Sequence, residues 1–394
     1  MTLTRSPYAS CRTAQLSISA IKDMAIRAAK LPDVASLTWG LPSFRTPEHI
    51  RKAVAEALLE DPDAGKYTLP DGLPQLREAV ADTHFALTGL RVSAGRNVVV
   101  TAGNMEGVKV VLDTILDDGD EVILTDPGFA SHVQQIMACG GQPIYWPLDE
   151  ARGWGADIGK LEPLISPRTR AILLVTPSNP TGTILDREVL LSVGEIALRH
   201  GILVVLDDPY SHFAFHQASD CFNLASAEAY ADNVAYLFSF SKCHAMSGWR
   251  LGYAVVPEAL KRQMLKLHDA TLICAPRPSQ LAGLAALRGS GDHLDEFRSI
   301  LDRRRNLICG RLDRVRHVFS YIRPRGAYYV FPRIETAHEN ATQFCLDLLN
   351  KAQVCVTPGS AFGPSGEGHV RMAFCVSDEE IEKAFDRIEQ HFPS

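Results

Sequence analysis

The centre of the chain alternates two kinds of apolar pattern. Short runs in which nearly every position is apolar read as strands covered on both faces: NVVVT from about residue 97, VILTD (122–126), AILLVT (171–176), ILVVLD (202–207), AYLFSFS (235–241) and LGYAVV (251–256). Between them, apolar residues recur three and four apart. From Asn104, the residues Met105, Val108, Leu112 and Ile115 fall on one helical face, and a second helix from about Asp186 stops at His200 and Gly201. Strand and helix in alternation predict an α/β fold around a mostly parallel sheet covered by helices.

After Pro276 the pattern changes. Long amphipathic helices (about 279–288 and 292–314) precede short strands near 319–332, a helix from Ala341, a strand near 353–356 and a final helix from Asp378. This predicts a smaller α+β domain over 287–394, with a large domain over 45–286 and an N-terminal arm, 1–44, that joins the small one. A length of 394 residues fits this division.

Composition narrows the function classes. Forty Lys+Arg against forty-six Asp+Glu leave a net charge of −6 with no block of like charge, which excludes a nucleic-acid partner. No apolar run approaches the roughly 18 residues of a membrane helix, and the first fifteen residues lack the apolar segment of a secretory signal. The nine cysteines are scattered and never spaced as CxxC, so they read as small apolar residues in a reducing, cytoplasmic setting, with no metal site.

Four places carry candidate chemistry. Thr101-Ala102-Gly103 joins a strand to the helix at Asn104, a turn that aims free backbone N–H groups at an anion such as phosphate, or is an ordinary strand-to-helix turn. TPSNPTG (176–182) is a rigid loop presenting Asn179 after a buried strand. LDDPY (206–210) ends a strand with Asp207, a carboxylate that either meets a protonated ligand nitrogen or caps a loop. SFSKCHAMSGWR (239–250) reads as a strand with Ser239 and Ser241 on one face and Lys242 at its end, with Arg250 beyond a glycine-containing loop. Partial burial beside an arginine lowers a lysine pKa and favours the neutral amine that reacts with an aldehyde. An anion cradle, an amine and a carboxylate for a ring nitrogen together suit pyridoxal 5′-phosphate.

Ordered motifs extend this over nearly the whole chain: GLPSF, YTLPDGLPQLR, TAGNMEGV, DPGF, SNPTG, DDPY, SFSK, GWRLGY, PRGAYYVF, PGSAFG and VRMAF. In these the sequence closely resembles the class I/II aminotransferases of the aspartate aminotransferase superfamily, the fold-type I pyridoxal-phosphate enzymes. The resemblance implies that Lys242 holds the cofactor as a Schiff base and shuttles the substrate proton. Asp207 would pair with the ring nitrogen, Asn179 and Tyr210 with the ring hydroxyl, and Phe129 would stack on the ring face. Gly103, Asn104 and Met105 would offer amides to the phosphate, with Ser239, Ser241 and Arg250. Tyr67 would reach the phosphate of a neighbouring subunit, implying a homodimer with shared active sites. Arg371 would grip the substrate carboxylate beside the backbone of Gly40.

The sequence departs from the commoner family patterns at DDPY, where the acidic pair replaces DExY, and at Met105, where some aspartate-specific relatives carry a lysine. Loss of that cation favours an apolar or aromatic L-amino acid donor, with a 2-oxo acid acceptor. The same residues also support a C–S lyase or another fate of the carbanion. A non-enzymatic regulator on this fold would carry a DNA-binding region ahead of GLPSF; fewer than forty residues precede that motif here and the chain is net acidic, which argues against this reading.

Overall fold

The apolar runs form a single eight-stranded sheet in the computed structural model, which describes residues 8–215 and 221–393. Its strands are β1 (Val98–Thr101), β2 (Glu121–Asp126), β3 (Gln142–Asp149), β4 (Gly155–Ala156), β5 (Thr169–Val175), β6 (Leu203–Asp208), β7 (Val234–Ser239) and β8 (Gly252–Val255). They lie in the order β1-β8-β7-β6-β5-β2-β3-β4. The block from β7 to β3 is parallel throughout, while β8 runs against both its neighbours and β4 against β3.

Register explains why the middles of the central strands are apolar on both faces. Leu124, Leu173, Val205 and Ala235 stand in one row and pack on Val108, Val111 and Leu112 of the helix Asn104–Ile115. The next row, Ile123, Ile172, Val204 and Val234, faces the opposite layer and belongs to the larger core. Each aliphatic side chain buried this way contributes about 1.5–3 kcal/mol. The helix Arg187–His200 ends as its sequence predicts, on Gly201 in the left-handed conformation at φ 65°.

Two local expectations fail. Met105 is 42% exposed and does not share the core face of its helix, because the first turn overhangs the carboxyl ends of the strands. The run 239–242 is not a strand end either. Strand β7 stops at Ser239, whose hydroxyl accepts from the Ser241 N–H at 3.2 Å and caps a short helical turn, Phe240–Cys243. Lys242 therefore sits on a capped turn.

The C-terminal part holds the helices Arg277–Arg288, Asp292–Arg314, Ala341–Ala352 and Asp378–His391. Between them Tyr329–Val330, Val370–Ala373 and Thr357–Pro358 make a three-stranded antiparallel sheet. The N-terminal segment joins this part: Ala35–Ser36 pairs in parallel with Val354–Cys355, and the Ala373 N–H donates to the Leu37 carbonyl at 2.7 Å. That pairing carries residues 38–40 to the strand that bears Arg371. Among the described residues no helix is long and apolar enough to cross a membrane, and no cysteine forms a disulfide.

Candidate active site

The parallel strands all point their carboxyl ends the same way, the edge where α/β sheets place ligands. A cavity of about 400 Å³ opens there, lined by Asp207 of β6 and Tyr210 just beyond it, by Ser239 at the end of β7 and Ser241 and Lys242 of the turn that follows, and from the C-terminal sheet by Tyr329 and Arg371. Asn104, Met105, Phe129, Asn179, Arg250 and Gly40 complete the walls expected from sequence. Gly103 lies just behind the cavity surface. Its backbone holds φ +78°, and a Cβ there would come within 2.7 Å of the Arg250 guanidinium, so glycine is what lets Arg250 close on the helix start. Tyr67 is 75% exposed and does not reach the cavity of its own chain.

Lys242 donates to the Gly40 carbonyl at 2.7 Å. Burial pushes its pKa down to about 8, helped by the positive charges of Arg371 and Arg250 and opposed by Cys375 and Asp207. The ammonium persists below that value and the free amine prevails above it. Capture of an added aldehyde by Lys242 is expected to be slow in acid, to rise through pH about 8 and to level off beyond, followed as absorbance against time. A rate flat across that window would contradict the shifted amine.

Asp207 is 6% exposed, and among the described residues no lysine or arginine pairs with it. One oxygen accepts from Asn104 Nδ2 at 2.7 Å and the other meets His132 Nε2 at 3.0 Å. Asp208 points through the opposite face of β6, where it accepts from the Tyr236 hydroxyl at 2.9 Å and burial raises its pKa. Alternation along the strand thus assigns the two acidic residues of DDPY to different layers.

Arg371 is almost fully buried without a carboxylate partner among the described residues. Its Nη1 donates to Asn179 Oδ1 at 3.2 Å and its Nη2 to the Thr38 carbonyl, while Nε has no partner. The guanidinium lies 4.6 Å from the centre of the Tyr329 ring and 5.0 Å from that of Phe362. An unpaired buried cation is costly, and a ligand carboxylate removes that cost. Tyr210 and Tyr329 share a hydroxyl hydrogen bond of 3.0 Å, and Gly40 is fixed against them, since a Cβ would overlap the Tyr329 hydroxyl.

At the end of the cavity nearest Gly103, the Ala102 N–H donates to Glu106 Oε2 at 3.0 Å, and Glu106 Oε1 meets buried His268 at 2.8 Å. This fixes the turn from which the helix Asn104–Ile115 aims its positive end into the cavity. Arg250 donates to the Ser247 carbonyl at 2.9 Å and pairs with no acid among the described residues.

Sequence reading missed His132, Tyr329, Trp39 and Lys22. His132 follows Phe129 by three residues on the helix Ala130–Ala138, and its ring meets that phenyl edge-on with centres 5.1 Å apart. The three-residue spacing was the available signal; its partner Asp207 lies 75 residues away and gave none.

The family profile described as "Aminotransferase class I and II" matches residues 32–388. The chain belongs to that family. This aminotransferase is 36% identical over 374 residues to an aspartate aminotransferase of Pyrococcus horikoshii, covering 94% of each chain. It is 32% identical to aromatic-amino-acid aminotransferase 2 of Thermococcus litoralis, over 96% of this chain and 97% of that one. A solved single mutant of Thermus thermophilus aspartate aminotransferase superposes with a TM-score of 0.92 at 29% identity, covering 98% of the aminotransferase and 100% of the mutant. The aminotransferase is thus an enzyme of amino-group transfer, working on amino acids and 2-oxo acids, in a family that depends on pyridoxal phosphate in general.

Proposed function

We propose that the cleft binds pyridoxal 5′-phosphate and moves the amino group of an L-amino acid, apolar or aromatic by preference, to a 2-oxo acid. One observation carries this reading: a lysine amine with a lowered pKa, a buried guanidinium lacking an anion and a buried carboxylate lacking a cation converge on one cavity. The residues fit the cofactor. Arg250, free of acidic partners and set against Gly103, would hold its phosphate with Ser239, Ser241 and the amides of Gly103, Asn104 and Met105. Asp207 would hold the ring nitrogen, Asn179 and Tyr210 the ring hydroxyl, and Phe129 the ring face.

Bound there, the cofactor supplies an aldehyde and a protonated ring that accepts the electron pair of the substrate α-carbon. Arg371 orients the substrate by its carboxylate, with a planar fork held by Asn179 and Thr38. Lys242 Nζ would take the proton from the substrate α-carbon and deliver it to the former aldehyde carbon, and would run the same transfer in reverse in the second half-reaction, acting as base and acid in each half. Asn104 and His132 hold Asp207 in place and leave its charge for the ring nitrogen. The apolar preference rests on Met105, uncharged and 42% exposed at the cavity, and on the aromatic-amino-acid enzyme among the relatives.

A homodimer sharing its active sites is part of this proposal, supported by exposed Tyr67 with Leu58, Leu59 and Leu69 nearby in sequence. So is the division into an N-terminal arm (1–44), a cofactor domain (45–286) and a small domain (287–394), supported by the pairing of Ala35–Ser36 with Val354–Cys355.

The test is the visible absorption of the purified protein supplied with cofactor, followed through additions of single amino acids and then a 2-oxo acid. The band is expected to bleach with apolar and aromatic amino acids and return with the oxo acid. A persistent band with accumulating pyruvate and ammonia would favour the C–S lyase in its place, and no band at all would overturn the cofactor assignment.

A further inference from the structure

The cavity wall holds four basic side chains, Lys22, Lys242, Arg250 and Arg371, and one acidic one, Asp207. Under the function proposed above, on which this inference rests, three of the four have an assigned partner: Arg250 the phosphate, Arg371 the substrate α-carboxylate, Lys242 the aldehyde. Lys22 has none. Its helix, Ala20–Ala28, buries Met24, Ala25 and Ala28, and leaves Lys22 exposed to the cavity. The nearest acid in sequence, Asp23, is engaged with Arg27 at 2.7 Å, and no described acid pairs with Lys22.

Position places this amine on the substrate side. The adjacent Ile21 packs against the cluster containing Phe362, whose ring lies 5.0 Å from the Arg371 guanidinium. Trp39, also from the N-terminal segment, is 49% exposed and lines the same wall. Apolar surface and a single long-stemmed cation therefore line the cavity that also holds the carboxylate clamp. One cavity must serve both half-reactions, so it meets two substrates in turn. A lysine stem lies along apolar surface and moves its ammonium out of the way at little cost.

We propose that Lys22 is a specificity-determining residue: its ammonium receives the distal carboxylate of a dicarboxylic 2-oxo acid, the amino acceptor. The wall of Ile21, Trp39 and Met105 receives the side chain of the neutral donor. The N-terminal arm thereby supplies the cation for a second substrate carboxylate, which uncharged Met105 does not.

The experiment compares Lys22→Met, Lys22→Glu and Lys22→Arg with the wild type, each as holoenzyme, using 2-oxoglutarate and its uncharged counterpart 2-oxohexanoate as acceptors. Lys22→Met is expected to lower kcat/KM for 2-oxoglutarate about tenfold relative to 2-oxohexanoate, chiefly through KM. Lys22→Glu lowers it further, and Lys22→Arg restores most of it. Calorimetric binding of glutarate against pentanoate is expected to show the same ratio without any turnover. Equal effects on both acceptors, or none, overturn the role of Lys22 and leave transamination standing. If the wild type transaminates nothing, the proposed function falls instead, and the glutarate-to-pentanoate ratio still decides Lys22.

Discussion

Lys242→Ala is expected to lower kcat for every amino acid by about 10⁴-fold or more, since it removes the covalent anchor and the base together. The change is not expected to disturb the fold. Lys242 donates one hydrogen bond, to the Gly40 carbonyl, and that carbonyl also accepts from the Tyr328 hydroxyl at 3.1 Å, so it keeps a partner. The turn that carries the residue is capped by Ser239, which the substitution leaves alone. Unchanged circular dichroism and melting temperature beside lost turnover would separate chemistry from structure. A small primary amine added to the variant is expected to recover part of the rate, because it enters the vacated space and takes the α-proton. A normal rate in the variant would sink the assignment.

The second large effect is expected at Asp207. Asp207→Ala should slow α-proton removal by about 10³-fold, the scale seen when a preorganised charge aimed at a reacting system is removed. A primary isotope effect with α-deuterated amino acid is expected to grow, since proton transfer becomes the slow step. Asp207→Ala also strips the acceptor from Asn104 Nδ2 and His132 Nε2, both buried, at about 1–3 kcal/mol each. Asp207→Asn serves as the companion: it keeps the volume and much of the bonding but loses the charge. A loss of rate in both variants, with stability lost mainly in the alanine one, assigns the effect to charge. Single-turnover rates that match the wild type would refute it.

Legibility in the sequence followed burial. Strands β2, β5, β6 and β7 sit inside a sheet covered on both faces, so the middle of each is an apolar run that announces itself. The partly exposed β3, QPIYWPLD, carries two prolines and mixed burial, and no such run marks it. Helix ends with a strong stop, such as Gly201, were equally plain. Met105 was misplaced because periodicity reports which residues share a helical face and says nothing of where the helix overhangs its sheet. The segment Ser239–Lys242 was misread because serine, phenylalanine and serine imitate a half-buried strand, while a capping hydroxyl shows itself only through the N–H it meets.

For the site, short segments at and just beyond the strands carry the amine, the carboxylate, the anion cradle and an arginine, and the ordered motifs of the family resemblance gave each its expected role. Their number and chemical kind were therefore decided by residue identity and by the directions that strand alternation imposes, as with Asp207 toward the cavity and Asp208 buried on the opposite face of β6. Their mutual relations were not. His132 meets Asp207 across 75 residues, Lys242 meets Gly40 across 202, and Arg371 meets Thr38 across 333. The contacts with Gly40 and Thr38 depend on the pairing of Ala35–Ser36 with Val354–Cys355, which folds the N-terminal arm over the sheet edge, whereas that of His132 with Asp207 joins the helix Ala130–Ala138 to strand β6. The lowered pKa of Lys242 and the placement of Lys22 at the cavity belong to the same closure, because desolvation and the distance between charges are properties of the assembled space and of no local segment.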